Sequence, residues 1–346
     1  MEQNHQKGLN PLSSKGQACG EDFHRIDEVI SGFRRYRVLT WALESGIADI
    51  LYAVGPHDPD VLIQKLGYQS SFGKSFLEAL VEIGILEKKE NKVGLCSKLA
   101  PYLVSESPLY QGDSIRSSSE GIWGQSEDFF KENSESQKPA SQMSPDFLKV
   151  VCQHSMRGEI QEITRILSNI PEFQSSHTLL DIGGGHGMYS ISFCQKNPGL
   201  SAVILDKQSI TPFTLEMVKR YQMVDRISIE TGDMNVDIPG SGYDMVFASH
   251  ILYRADDLHL LLKRIAAKIK TRGLFISNHK FEDDWIIPRE DALKAMDTVF
   301  IKGHHHMVTR DEFKNVLGSS GLSGIQSFNI RTCTGFSTLT IATKNM

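Results

Sequence analysis

Leu179-Leu-Asp-Ile-Gly-Gly-Gly-His-Gly187 constrains this chain more than any other stretch. An apolar run reads as a buried strand, and the residues after Gly187 read as a helix. The glycines between them let the backbone bend tightly and approach a ligand closely. Strand, glycine turn and helix is the unit that opens a doubly wound α/β sheet. The loop also narrows the ligand. A dinucleotide fingerprint needs G-x-G-x-x-G, so that a pyrophosphate can sit on the helix N-terminus. Counting from Gly183, the sixth position is Met188; counting from Gly184, the third is His186. Both registers fail. Asp181, at the strand end, would repel a pyrophosphate and attract an ammonium group.

The surrounding texture agrees. Strands are predicted at 178–182, 202–205, 227–230, 245–248 and 274–276, with helices between them, notably 258–270. Such alternation predicts a parallel, doubly wound, Rossmann-like sheet with right-handed crossovers. Upstream the pattern differs. Phe33, Val38, Trp41, Ala42, Ile47, Ile50 and Leu51 recur at helical spacing, punctuated by Gly46 and Gly55. A capped helix over 58–67, another over 71–85 and two short strands within 85–95 follow, which is a winged-helix order. The chain therefore divides into a polar, disordered tail (1–20), a mainly α winged-helix domain (21–104), connecting helices with a pocket segment (105–165) and an α/β domain (166–346).

Composition removes several function classes. Lys and Arg number 37 against 42 Asp and Glu, a net charge of -5, which disfavours a nucleic-acid partner despite the small Arg34, Arg35, Arg37 cluster. No run of 18 apolar residues is present, so no membrane span is expected. The N-terminus has no apolar signal region. Cys19, Cys96, Cys152, Cys194 and Cys333 form no CxxC and suggest neither a disulfide framework nor a thiolate zinc site, which suits a reducing cytoplasm.

Two later positions extend the glycine loop into a set. Asp206 ends the second strand and can accept both hydroxyls of a ribose; Gly232-Asp-Met234 follows the third. Loop, Asp206 and Asp233 in order resemble motif I and its successors in the class I S-adenosylmethionine-dependent methyltransferases. That resemblance implies S-adenosylmethionine as cofactor, held by Asp181, Gly183, Gly185, Asp206, Gly232, Asp233, Met234 and Ser249, with Asp233 and Met234 receiving the adenine. The winged-helix order over about 22–345 narrows it further. The chain resembles the small-molecule O-methyltransferases of the caffeate, acetylserotonin and polyketide type. In those enzymes the winged helix serves dimerisation and binds no DNA. Trp41 to Leu51 resembles their dimer helix, and Gly84-Ile-Leu86 with Val93-Gly-Leu95 resembles their wing. A homodimer and a small-molecule substrate are implied.

One departure concerns the base. Family members often carry Leu-His-Asp-Trp-x-Asp after the fourth strand, and that His removes the proton of the substrate hydroxyl. Here the segment is Ser249-His-Ile-Leu-Tyr-Arg-Ala-Asp-Asp257, and Tyr253 stands in place of the His. A phenol is a poor base at neutral pH and a fair hydrogen-bond partner. His250 and His279 are the alternative bases, since imidazole titrates near neutrality. Ile-Leu-Tyr at this point is similar to the bacteriochlorophyllide C-methyltransferase. His304-His-His306 follows 288–302, which resembles the family's late active-site helix, and reads as pocket wall or solvent-exposed loop in preference to a zinc site. Met156, Trp123, His306 and Met307 are the candidate substrate-pocket residues; no metal is expected. The reading is a methyltransferase acting on a small aromatic or conjugated molecule, by default at oxygen. C-methylation of a tetrapyrrole-like ring and a cofactor-sensing DNA-binding regulator are the alternatives.

Overall fold

In the computed structural model the first helix stops where glycine lets it. Helix α1 (Gly20–Ser45) gives way at Gly46, left-handed at φ 65°, and α2 (Ile47–Val54) starts beyond it. The structure describes residues 20–120, 144–285, 293, 308–332 and 335–345. Two compact units divide between Gly112 and Asp113.

In the first unit, Asp58 caps α3 (Pro59–Leu66): its carboxylate accepts the backbone N–H of Asp60 at 2.9 Å and of Val61 at 3.2 Å. Pro59 is pre-set for the first turn, and left-handed Gly67 closes the last. Helix α4 (Ser70–Glu82) leads into a hairpin of β1 (Leu86–Lys89) and β2 (Lys92–Leu95), followed by α5 (Ala100–Leu103). Ile47, Leu51, Leu62, Leu80, Leu86 and Val93 are buried. Each contributes about 1.5–3 kcal/mol by leaving water. Within 41–51, the stretch that resembles a dimer helix, Ile47 and Leu51 are 0% and 3% exposed and face this unit's own core, not a partner. Exposed apolar residues lie instead on α1, where Phe23, Ile26, Val29, Ile30 and Phe33 are all exposed. The basic cluster is partly engaged: Arg34 pairs with Asp27 at 3.6 Å, and the Arg37 guanidinium stands 5.5 Å from the Trp41 ring.

The second unit holds α6 (Gly112–Glu120), which begins at the division, then α7 (Pro145–Ser155), α8 (Glu159–Leu167) and α9 (Pro171–Gln174) before the sheet. Its strands are β3 (Thr178–Ile182), β4 (Ser201–Asp206), β5 (Ile227–Thr231), β6 (Tyr243–Ser249), β7 (Ile269–His279), β8 (Leu322–Thr332) and β9 (Gly335–Lys344). Helices α10 (Met188–Lys196), α11 (Thr211–Arg220), α12 (Leu258–Lys268) and α13 (Arg310–Ser319) complete the unit. The strand order is β5-β4-β3-β6-β7-β9-β8. The expected strands and their parallel pairing from β5 to β7 are present. The all-parallel expectation needs a correction at one edge, where β9 runs antiparallel to both β7 and β8.

Both faces of the parallel strands are covered. Met245 and Phe247 of β6 enter one core with α8, α10 and α11; Val246 and Ala248 enter a second with α12 and α13. The strand order reverses between β3 and β6, the point at which open α/β sheets leave a crevice beyond the strand ends. The glycine loop follows β3, and His250 to Arg254 follow β6, so both candidate segments border that crevice.

Candidate active site

The loop after β3 is bent by glycines in conformations that side chains resist. Gly183 and Gly185 have φ of 64° and 55°. The two differ in what a side chain would meet. At Gly183 a Cβ would collide with Ile251. At Gly185 it would touch nothing nearer than the Gly183 carbonyl at 3.9 Å, so the missing side chain faces open space. Gly184 lies flat against the sheet, where a Cβ would come within 2.7 Å of Ile204 and 2.8 Å of the Asp181 carboxyl.

Two acidic groups lie close to the loop. Asp206, at the end of β4, accepts the Gly185 N–H at 2.8 Å and the Lys207 N–H at 2.7 Å. Burial raises its pKa above the ordinary carboxylate value, although both N–H donors oppose the shift. Asp181 is 1% exposed, and one of its oxygens accepts the Ser190 hydroxyl at 2.7 Å. Burial pushes its pKa up to about 7, against the Ser190 hydrogen bond and reinforced by the Asp206 charge. Beyond β5, the Gly232 N–H donates to the Asp206 carbonyl at 2.9 Å. Asp233 pairs with Lys207 at 3.3 Å and accepts the Asn235 N–H. Met234 is buried in the second core. Seven of the eight expected cofactor residues, all but Ser249, thus fall on three consecutive strand ends.

A second polar group lies beyond β6 and β7. His250 has a left-handed backbone at φ 51°, a strained state for a residue with a side chain. Its Nδ1 is 3.1 Å from the Tyr253 hydroxyl, which accepts the Lys280 N–H at 2.7 Å. Its Nε2 is 3.2 Å from the Asn278 amide and 3.6 Å from Glu159. The Asn278 amide also donates to Ser249 at 3.2 Å. His279 is arranged differently. It is 3% exposed, and its Nε2 accepts the N–H groups of Ile251 at 3.3 Å and Leu252 at 3.1 Å. Burial depresses its pKa well below the imidazole range. It is a neutral cap on the turn that carries Tyr253.

Glu159 was not singled out by any motif. It opens α8 and hydrogen-bonds the Tyr189 hydroxyl. Burial works to raise its pKa, yet the His250 charge and hydrogen bond, the Tyr189 hydrogen bond and the Lys280 charge hold it at about 2. In sequence it is 91 residues from His250, and no local pattern marks an acid in a helix's first turn as buried. Of the expected pocket residues, Met156 is half-buried against the first core. Trp123, His306 and Met307 lie outside the described residues, as do the rest of the histidine run and nearly all of 288–302. Among the described residues no three His, Cys, Asp or Glu side chains stand together as a metal cage.

A family model described as "Methyltransferase domain" matches residues 152–327. The chain is 26% identical over 284 residues to an uncharacterized protein of Methanocaldococcus jannaschii, covering 80% of this chain and 75% of that protein. It is 24% identical over 318 residues to the 3-hydroxy-5-methyl-1-naphthoate 3-O-methyltransferase of Streptomyces sahachiroi, covering 87% and 90%. Among solved structures, human N-acetylserotonin methyltransferase in complex with SAM superposes with a TM-score of 0.72 at 19% identity, over 96% of this chain and 100% of that one.

Proposed function

The chain belongs to the methyltransferase-domain family, and from that premise we propose that it transfers the methyl group of S-adenosylmethionine to a hydroxyl of a small aromatic molecule. The open face of Gly185, whose N–H donates to the Asp206 carboxylate, carries the cofactor assignment. It offers room for a backbone-close ligand, an acceptor for ribose hydroxyls at Asp206 and negative charge for an amine at Asp181. It offers no pyrophosphate cradle, and two acids there would repel phosphates. S-adenosylmethionine supplies a methyl group activated by a sulfonium. Asp206 orients the ribose end, and the Gly232 to Met234 turn lies beside it for the adenine. The naphthoate relative, a 3-O-methyltransferase that covers most of both chains, supports an aromatic hydroxyl as acceptor.

At the acceptor end the residues differ from the usual single histidine. Tyr253 and His250 share one hydrogen bond, and the His250 side chain is 33% exposed. Tyr253 orients the hydroxyl, and His250 takes its proton. His279 is left with its capping role, because its accepting nitrogen already serves two backbone donors. Incubation with S-adenosylmethionine and a panel of phenols, followed by mass spectrometry, tests the function. Gain of one methyl by a phenol is the expected result; transfer to none of hydroxynaphthoates, catechols or hydroxyindoles counts against the assignment.

The pH dependence of ligand binding follows from Asp181. Its carboxyl is pushed up to about 7 by burial in the free chain. An ammonium facing it favours the ionised form, so binding below pH 7 must expel a proton. Affinity for S-adenosylhomocysteine is therefore expected to fall about 20-fold from pH 7.5 to pH 5.5. Asp181→Asn should remove that slope. A flat Kd in the wild type would take the amine away from Asp181.

The exposed Phe23, Ile26, Val29, Ile30 and Phe33 form a row of apolar side chains along α1. This supports a homodimer built on α1, burying more than about 2,000 Å². Light scattering at micromolar concentration should give twice the chain mass; a monomer mass would refute it. The free, buried Cys152 and Cys194 suit a reducing, cytoplasmic setting.

A further inference from the structure

We infer that Glu159 is a positioning residue that holds the His250 ring with its proton on Nε2 and so leaves Nδ1 open to the Tyr253 hydroxyl. The inference rests on the methyl-transfer reading for its consequence, and on geometry alone for its substance. Glu159 is the first residue of α8, where the helix N-terminus favours negative charge. Its carboxylate takes the Tyr189 hydroxyl, lies 3.4 Å from the Ser337 hydroxyl and faces His250 Nε2 at 3.6 Å. Tyr189 and Ser337 therefore fix it from α10 and β9, and its side chain keeps 14% of its surface exposed.

Two groups compete to set the state of His250 Nε2. The Asn278 amide nitrogen, at 3.2 Å, would ask the ring to accept. The Glu159 carboxylate asks it to donate. A lone pair on Nε2 facing a charged oxygen is repelled, and in a buried site such charge outweighs an amide dipole. The amide can also turn. The Asn278 side-chain oxygen is buried without a hydrogen-bond partner, and a half-turn brings it to Nε2–H and the Ser249 hydroxyl. The carboxylate has no such freedom. The proton therefore belongs on Nε2, and the Tyr253 hydroxyl, held from behind by the Lys280 N–H, donates to Nδ1.

A relay follows with every proton placed. The substrate O–H bond breaks as its proton passes to the Tyr253 oxygen, while the Tyr253 proton passes to His250 Nδ1. The substrate oxygen keeps the electron pair that attacks. The resulting imidazolium is neutralised by Glu159 and later releases its proton to solvent through the exposed part of the ring. The phenol never has to exist as a free base, which answers how a tyrosine can stand at the position of the family's histidine.

The test reads the ring directly. Protein labelled with ¹⁵N in its histidine rings is examined by long-range proton–nitrogen correlation, with His250→Asn identifying the His250 signals. The expected wild-type spectrum shows the Nε2–H tautomer at His250. Glu159→Gln should make the Nδ1–H tautomer the major one, and Glu159→Asp should restore most of the original. A wild-type ring protonated on Nδ1, or a Glu159→Gln spectrum with an unchanged tautomer, overturns the inference. Should Glu159→Gln fail to fold, the wild-type and Glu159→Asp spectra decide the matter. Titration of the wild type with S-adenosylhomocysteine is separate: absence of binding sinks the methyl-donor reading, whatever the tautomer.

Discussion

Gly185→Val is expected to weaken S-adenosylhomocysteine binding by at least about 100-fold, or about 2.7 kcal/mol. Two effects combine. The backbone at φ 55° costs a side chain about 1–2 kcal/mol, more for a β-branched one. The new methyls would also fill the open face against which the ligand has to lie, since nothing of the protein occupies it. Gly184→Ala makes the contrast. Its Cβ would press on Ile204 and the Asp181 carboxyl from inside the loop, so the loss should appear first as a lower Tm. Calorimetry and thermal melts on the two variants separate the effects. A near wild-type Kd for Gly185→Val would move the ligand to another face of the sheet.

His250→Ala is expected to lower kcat by about 10³-fold, within the range of general-base catalysis. Tyr253→Phe should lower kcat by a similar factor, because without the relay oxygen the substrate proton has no path to His250 Nδ1. The double variant should be little worse than His250→Ala alone, since the two act as one unit. Strain gives a further check. His250 holds a left-handed backbone that glycine would adopt freely. His250→Gly should therefore be as inactive as His250→Ala and melt at or above it, by about 1 kcal/mol of relieved strain. That is what a side chain kept for chemistry at the expense of local stability predicts. A larger kcat loss for Tyr253→Phe than for His250→Ala would transfer the proton acceptor to the phenol.

The residues proposed for the cofactor end come together in the fold because their signals are local. Glycines with positive φ, an acid ending β4 and an acid after β5 need only the order of strands to come together. The departure from the family's base was equally readable at Tyr253. What stayed hidden depends on distant packing. Glu159 reaches His250 only through the fold, and nothing in Gly158-Glu-Ile-Gln distinguishes a buried acid from a solvated one. The sequence offers His279 as a free imidazole, and only the fold brings the Ile251 and Leu252 N–H groups onto its Nε2. The antiparallel edge escaped because β8, with residues such as Gly324, Gln326, Ser327 and Asn329, lacks an alternating apolar face and takes its register from β9. On α1 and α2 the apolar spacing was read correctly. Spacing alone does not say which of Phe33, Trp41, Ile47 and Leu51 faces the unit's own core, and Ile47 and Leu51 do.

Isothermal titration calorimetry of the wild type with S-adenosylhomocysteine, and separately with NADH, tests the methyl-donor site most directly. A loop with an open face at Gly185 and its N–H on Asp206 should bind S-adenosylhomocysteine with a micromolar Kd, about -8 kcal/mol, and should show no measurable heat with NADH. Tight NADH binding with none of S-adenosylhomocysteine would contradict the assignment and return the fold to the dinucleotide-binding proteins.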